Sequence, residues 1–119
     1  MLIVTTPYVG GWRVVEVKGH VFGLVVRSRG LGGNIMAGLR SIGGGEIKEY
    51  TSLLEDTRRQ AIDRMVQNAT MMGANAILSM RFDSTELANT MSEIVAYGTA
   101  VVLAPENSPM PPPPPPTHE

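Results

Sequence analysis

Three consecutive glycines, Gly43 to Gly45, precede Glu46 and a charged, helix-like segment, which raises the question of a phosphate-binding loop. A Walker-type loop needs Lys and then Ser or Thr after its last glycine, whereas Glu46-Ile47 stand there. A carboxylate at a helix N-terminus also occupies the positive end of the helix dipole that an anion would need. The pattern therefore favours a flexible break before a helix, and anion binding by the backbone at Gly44, Gly45 and Glu46 is the alternative.

Side chains that bind metals are few in this chain. Cysteine is absent, which excludes thiolate sites, iron–sulfur clusters and disulfides. Of the two histidines, His118 lies near the C-terminus, and His20 is expected in a turn, as a solvated residue rather than a ligand. Asp83 and Glu93 are the candidate metal ligands, and carboxylates suit a hard divalent metal ion. One chain offers too few of them, but an oligomer would bring one copy from each subunit to a shared axis.

Three further polar side chains, Arg58, Asn75 and Tyr97, are candidates for ligand contacts, and each also has a structural interpretation. Arg58 is expected to pair with Glu55 or with an acidic side chain of another chain, with an anion contact as the alternative. Asn75 is expected to hydrogen-bond the end of the preceding helix or a neighbouring loop. Tyr97 is expected to be buried, with its hydroxyl group paired with Asp83 across a hairpin.

One long helix is predicted over residues 46 to 72. Apolar residues recur there mostly at steps of three and four, and Gly73 supplies the stop. Such a helix would be about 40 Å long at ~1.5 Å per residue. Met71 and Met72 are expected to fill a core or an interface rather than to bind a metal. The apolar stripe is broad for so small a domain and needs a large surface to cover it.

Strands are predicted before this helix. Residues 2 to 6 are mostly β-branched and stop at a proline. Residues 12 to 28 form either a hairpin, with Gly19-His20 as its loop, or one long bent strand with bulges at Gly19 and Gly23. Residues 34 to 42 have the spacing of a short helix.

Two more strands are predicted after the long helix. Residues 76 to 83 alternate between apolar and polar side chains, and residues 90 to 103 form the second strand of an antiparallel hairpin. The alternation places Ala76, Leu78, Met80 and Phe82 on one face. The predicted fold class is therefore α+β, an antiparallel sheet packed on one long helix.

Composition excludes several classes of protein. The chain has 119 residues, room for one domain, and its net charge of −1 argues against an electrostatic nucleic-acid binder. No apolar run reaches about 18 residues, so no membrane-spanning helix is expected. The N-terminal segment lacks the features of a signal peptide, and a cytoplasmic location is expected. No nucleophile, base and acid can be combined into a catalytic set, so the chain is expected not to be an enzyme.

Residues 105 to 119 differ from the domain predicted over residues 1 to 104. Pro111 to Pro116 cannot join a sheet or a helix and favour polyproline II, so the segment is interpreted as a disordered or semi-rigid tail. This tail suggests the function of an adaptor, as an alternative to the binding of a metal or a small ligand. An oligomer would present several proline-rich tails to a partner protein that reads Pro-x-x-Pro, with a gain in avidity.

Three segments together resemble one known family: GGGEIKEYTSLLEDTRRQAIDRM, then GANAILSMRFDS, then EIVAYGTAVVL. They resemble the YbjQ-like family of small bacterial and archaeal proteins, over roughly residues 2 to 103. The resemblance implies a dodecin-like subunit, with a helix crossing an antiparallel sheet, assembled into a ring-shaped homopentamer whose strands form a barrel. It also implies the label of a heavy-metal-binding domain, with no established activity.

Overall fold

The structure is a computed structural model that describes residues 1–28, 48–87 and 91–107. Its elements are strand β1 (Leu2–Ile3), strand β2 (Trp12–Ser28), helix α1 (Lys48–Met71), strand β3 (Ala76–Leu87) and strand β4 (Met91–Pro105). The strands form one sheet in the order β1-β3-β4-β2, and α1 packs on one face of it. The predicted α+β class is confirmed. The predicted short helix, the glycine run with Glu46 and the proline-rich tail lie outside the described residues.

The sheet is mixed rather than wholly antiparallel. β4 runs antiparallel to both β2 and β3, whereas β1 pairs with β3 in parallel. The N-terminal chain continues along the edge of β3 beyond β1, because the Val4 amide donates to the Ile77 carbonyl and the Ser79 amide to the Thr6 carbonyl, each at 3.0 Å. A two-residue strand whose partner lies more than 70 positions away has no local sequence signal for its direction.

β2 is one long strand rather than a hairpin, but its pairing is regular at Gly23, where the second predicted alternative placed a bulge. It pairs with β4 from Trp12 to Ser28, with irregularities between Val14 and Glu16 and between Val17 and Gly19. Gly19 has a φ of 123°, a conformation that costs a glycine little. His20 consequently lies in a strand opposite Thr99, and the prediction that it lies in a turn is wrong.

A β-bulge in β3 changes which side chains face the helix. Leu78 pairs with Thr99 and Arg81 with Tyr97, so Ser79 and Met80 together oppose the single residue Gly98. The extra residue shifts the alternation by one position. Ile77, Met80 and Phe82 therefore face α1, whereas Ala76 and Leu78 pack on the opposite face against Val4 and Val9. The predicted single face of Ala76, Leu78, Met80 and Phe82 is wrong for this reason.

The helix packs on the sheet through small and flexible side chains. Ala61, Met65 and Ala69 are completely buried against a cluster of strand residues: Val21, Val25, Ile77, Met80, Ala96 and Ala100. At Gly23 a Cβ would collide with the carbonyl oxygen of Ala61 and the amide nitrogen of Met65. The apolar stripe of α1 is thus largely covered within one chain, although Leu54 at its N-terminal part stays exposed.

Side chains of α1 also cover part of the free edge of β2. Arg64 Nη1 donates to the Leu24 carbonyl, and Asn68 Nδ2 donates to the Phe22 carbonyl at 2.8 Å. An uncovered edge of this kind invites pairing with another chain. The helix therefore protects the middle of β2.

Candidate functional site

On the face of the sheet opposite α1, three adjacent rows of side chains across β2, β4 and β3 form a surface that is here called the open face. Directly opposed residues project from the same face, and Val21 and Val25 face the helix, so their neighbours in β2 point away from it. From one end to the other, the rows are Phe22-Tyr97-Arg81, Leu24-Val95-Asp83 and Val26-Glu93-Thr85. The open face is thus apolar along β2 and charged along β3.

The apolar side of the open face is exposed to solvent. Phe22 is 49% exposed and Val26 is 47% exposed, and Leu24, which lies between them, is 36% exposed. Tyr97 is 37% exposed, so the expectation that it is buried is wrong. Its neighbour across the hairpin is Arg81, and no hydrogen bond joins Tyr97 to Asp83 within residues 76–87 and 91–105. A contiguous exposed apolar surface of this kind indicates a contact with another molecule.

The two candidate metal ligands lie on the open face, one row apart. Asp83 opposes Val95 and Glu93 opposes Thr85, which makes the two residues diagonal neighbours. Diagonal neighbours lie roughly 7–8 Å apart, with their Cβ atoms somewhat closer. Within the described part of the chain, no group of three or more His, Asp or Glu side chains is placed to hold a metal ion. The carboxylates of one chain therefore do not fit a heavy-metal site, and copies from other chains would be needed.

Arg58 does not join this face. Its guanidinium lies over the ring of Phe82, 5.0 Å from the ring centre, and Phe82 packs on the helix side of the sheet. Glu55, its expected partner, instead pairs with Arg59 at 3.7 Å. The contact of Arg58 is a cation–π interaction at the helix–sheet boundary.

The Asn75 side chain is engaged with the backbone of β4. Its Nδ2 donates to the Leu103 carbonyl at 2.9 Å, and its Oδ1 accepts from the Leu103 amide at 2.7 Å. Its own amide donates to the Val101 carbonyl at 3.0 Å. Asn75 thus extends the β3–β4 ladder by one side-chain pair, away from the open-face carboxylates. The other candidates for ligand binding, Gly44, Gly45 and Glu46, lie outside the described residues.

A second surface feature lies where the end of α1 meets the free edge of β2. A depression of about 370 Å³ is lined by His20, Val21, Phe22, Asn68, Met71 and Met72. The His20 ring stacks on Phe22 with centroids 6.2 Å apart and planes 10° from parallel. Met71 is 85% exposed. This depression is here called the His/Met pocket.

The helical pattern does not separate Met71 from Met72, because adjacent helix positions point about 100° apart at ~3.6 residues per turn and a broad apolar stripe can include both. Met72 packs against the core, and Met71 is left in solvent. The expectation of a core position holds for Met72, whereas Met71 lies outside the core, and its place in an interface with another chain stays a prediction. Their nearness to His20, about 50 positions earlier, is decided by the tertiary structure.

Among the described residues, the helix is too polar to span a membrane.

Comparison with known proteins gives matches over nearly the whole domain. A family model described as "Putative heavy-metal-binding" matches residues 1–104. A UPF0145 protein of Bradyrhizobium sp. (strain ORS 278) is 65% identical over 105 residues, which are 88% of this chain and 95% of that protein. A UPF0145 protein of Picrophilus torridus is 57% identical over 109 residues, which are 91% of this chain and 92% of that protein.

One solved structure is similar in fold. A protein of unknown function from Pediococcus pentosaceus superposes with a TM-score of 0.57 and 14% sequence identity, over 87% of this chain and 98% of that chain. At this identity the similarity shows the fold alone.

Proposed function

The chain belongs to the YbjQ-like family, whose model is described as "Putative heavy-metal-binding", and we propose that it is a homo-oligomeric binding protein. In this proposal five copies form a closed ring that holds a small ligand or a divalent cation between subunits. The ring of five rests on the family resemblance. The observation that carries the proposal is the exposed open face, with an apolar stripe on β2 and β4 beside the carboxylates of Asp83 and Glu93.

The apolar stripe supports contact with a second copy. Fully burying one such side chain stabilises a structure by roughly 1.5–3 kcal/mol. Phe22, Leu24, Val26 and Tyr97 are all exposed in the single chain. A ring that turns the open face toward its centre shields this stripe and leaves the helices outside.

The two edges of the sheet support a head-to-tail contact. β2 forms one edge of the sheet. The other edge consists of β1 and of the part of β3 that continues beyond its pairing with β1. Pairing of two unlike edges is heterologous, and repeating it closes a ring when the rotation allows. Because α1 covers the Phe22 and Leu24 carbonyls, the pairing uses the earlier part of β2, where Trp12 and Val17 are exposed.

Arg13, in that part of β2, supports the same contact. Two of its guanidinium nitrogens, Nε and Nη2, are shielded from solvent and have no hydrogen-bond partner within the described residues. A buried donor without an acceptor is costly. An acceptor from a neighbouring copy satisfies these donors in the proposed ring.

The ring also brings carboxylates together. Each copy contributes Asp83 and Glu93 from the open face, so the assembled site has several oxygen ligands around one axis. Such a set suits Ca²⁺, Mg²⁺ or Mn²⁺ better than a soft metal.

The oligomer is tested by native mass spectrometry and by light scattering at micromolar concentration. We expect an oligomer for the native sequence and a monomer for Leu24→Glu, because the substitution places a charge in the buried stripe of every copy. Leu54→Glu is the matched control, since Leu54 is exposed on the helix and lies outside the open face. A monomeric native protein contradicts the proposal, and so does equal dissociation of both variants.

The cation is tested on the same instrument with Ca²⁺, Mg²⁺ and Mn²⁺ added singly. We expect the combined variant Asp83→Asn and Glu93→Gln to keep the oligomer and to lose the bound ion. Glu55→Gln, an exposed carboxylate on α1, should retain it. Retention of the ion by the combined variant would place the cation elsewhere.

A further inference from the structure

We propose that the proline segment Pro111–Pro116 docks on an exposed apolar patch of its own chain, formed by Trp12, Val14 and Val17. The patch, here called the Trp12 patch, lies on the same side of the sheet as the open face, but at the other end of β2. Docking covers side chains within one chain, whereas the proposed ring pairs the backbone edges of two chains. The inference therefore does not depend on the ring.

The side chains of the Trp12 patch project away from α1. Val14 opposes Leu103 and Val17 opposes Val101, and both of these β4 residues belong to the apolar cluster on the face opposite the helix. Trp12 lies two positions before Val14 and so shares its face. Trp12 is 44% exposed and Val17 is 64% exposed. A row of exposed apolar side chains that includes an indole indicates a contact with another segment.

Strand β4 brings the chain to the Trp12 patch. Its last residue, Pro105, opposes Trp12, and the amide of the next residue, Glu106, donates to the Gly11 carbonyl at 3.0 Å. The chain turns at this point, so it leaves the strand direction beside the indole. Pro111 follows five residues after Glu106, a reach of about 16 Å at ~3.1 Å per residue. The proline segment is therefore tethered within reach of the patch.

The length and the chemistry of the proline segment fit the patch. Six prolines in polyproline II extend roughly 19 Å at ~3.1 Å per residue. The distance from Trp12 to Val17 along β2 is roughly 17 Å at ~3.3 Å per residue. Polyproline II segments dock on surfaces lined by aromatic side chains, and they lose little conformational entropy because their helix is preformed. Trp12 supplies the aromatic surface, and the two valines extend it along the strand.

Tethering favours this segment over a second copy of the chain. A short linker gives a local concentration in the millimolar range, far above that of other copies in a micromolar solution. The patch consists of three side chains, whereas a stable contact between two proteins buries about 800 Å² on each partner. The proline segment is therefore the occupant that the patch accommodates best.

The test uses the fluorescence of Trp12, which is the only tryptophan of the chain and reports on the patch alone. Acrylamide quenching of the native full chain is compared with that of a full-length variant in which each residue from Pro111 to Pro116 is replaced by Ser. We expect quenching to be about twofold steeper in the variant, because the docked prolines cover the half of the indole that the domain leaves exposed. The substitutions follow the last strand, so they leave the sheet unchanged.

Two matched variants, Val14→Thr and Val26→Thr, test the patch itself. Both valines are exposed on the same side of β2. Val26 lies roughly 46 Å along the strand from Trp12, whereas the tail from Asn107 to Pro116 reaches roughly 28 Å. We expect Val14→Thr to steepen the quenching of Trp12 when the tail is native but not when the prolines are replaced. Val26→Thr should leave the quenching unchanged with either tail.

The same comparison in the Leu24→Glu background separates this contact from the ring. A difference between the native and the proline-substituted tails that is equal in both backgrounds, and that persists on hundredfold dilution, identifies a contact within one chain. Loss of the difference in Leu24→Glu or on dilution would assign the contact to the tail of another copy and overturn the proposal. Equal quenching with the native and the substituted tails would show that the prolines do not cover Trp12.

Discussion

Gly23 lies where α1 crosses β2, and the close approach of the two elements depends on the missing side chain. A Cβ at this position would collide with the backbone of Ala61 and Met65, neither of which can move without displacing the helix. We expect Gly23→Ala to lower the free energy of unfolding by about 3 kcal/mol, because helix and strand must separate. Urea unfolding at one fixed protein concentration measures the difference.

Gly10→Ala is the control for this prediction. A Cβ at Gly10 would meet no atom within 4 Å, and the residue lies in a turn before β2. We expect its free energy of unfolding to change by less than about 1 kcal/mol. If Gly23→Ala lowers the free energy of unfolding no more than Gly10→Ala does, the helix can shift at little energetic cost.

Strand β3 shows how one residue can alter the faces of a whole element. Ser79 has a φ of 54° at the bulge, which L-residues other than glycine adopt at a cost. Gly98, opposite the bulge, has no room for a side chain, because a Cβ there would lie 2.7 Å from Ile77 Cγ2. The bulge and the glycine together turn Met80 and Phe82 toward α1 and leave Arg81 and Asp83 on the open face.

Substitutions at Ser79 test the bulge. We expect Ser79→Val to be less stable than Ser79→Gly by about 1–2 kcal/mol, because a β-branched side chain resists a positive φ. Ser84, in the regular part of β3, is the control position, where Val should be the more stable residue and Gly the less stable. Thermal or urea unfolding of the four variants measures both differences. The same order at both positions would contradict the assigned bulge.

At the scale of the whole molecule, a helix covers one face of the sheet, and the open face on the other side leaves Phe22, Leu24, Val26 and Tyr97 exposed. Assembly that covers the open face must couple folding to protein concentration, since only the folded chain presents that face. A tenfold increase in protein concentration stabilises the assembled chain by ~1.4 kcal/mol. We therefore expect the melting temperature of the native chain to rise by about 5 °C for each tenfold increase.

Differential scanning fluorimetry over a hundredfold range of concentration measures this dependence. Leu24→Glu should melt at the same temperature throughout, because its monomers no longer gain from association. Leu54→Glu should retain the dependence of the native chain. A melting temperature of the native chain that is independent of concentration would contradict assembly through the open face.

The sequence alone determined the local elements and the family. Periodicity predicted the long helix and the hairpin of β3 and β4, because apolar spacing reflects which side of an element is buried. The helix runs from Lys48 to Met71, within two residues of its predicted bounds over the described part. The family resemblance is confirmed by the match over residues 1–104. Composition also limited the metal chemistry, because a chain without cysteine has no thiolate ligand to offer.

Only the tertiary structure decided which side chains share a face and a pocket. The bulge at Ser79 arises from pairing with Gly98, about twenty positions away, so alternation within β3 could not reveal it. The parallel pairing of β1 and the unbroken course of β2 likewise depend on distant partners. His20 and Met71 line one depression because α1 folds back across β2, and local sequence patterns carry no information about segments so far apart.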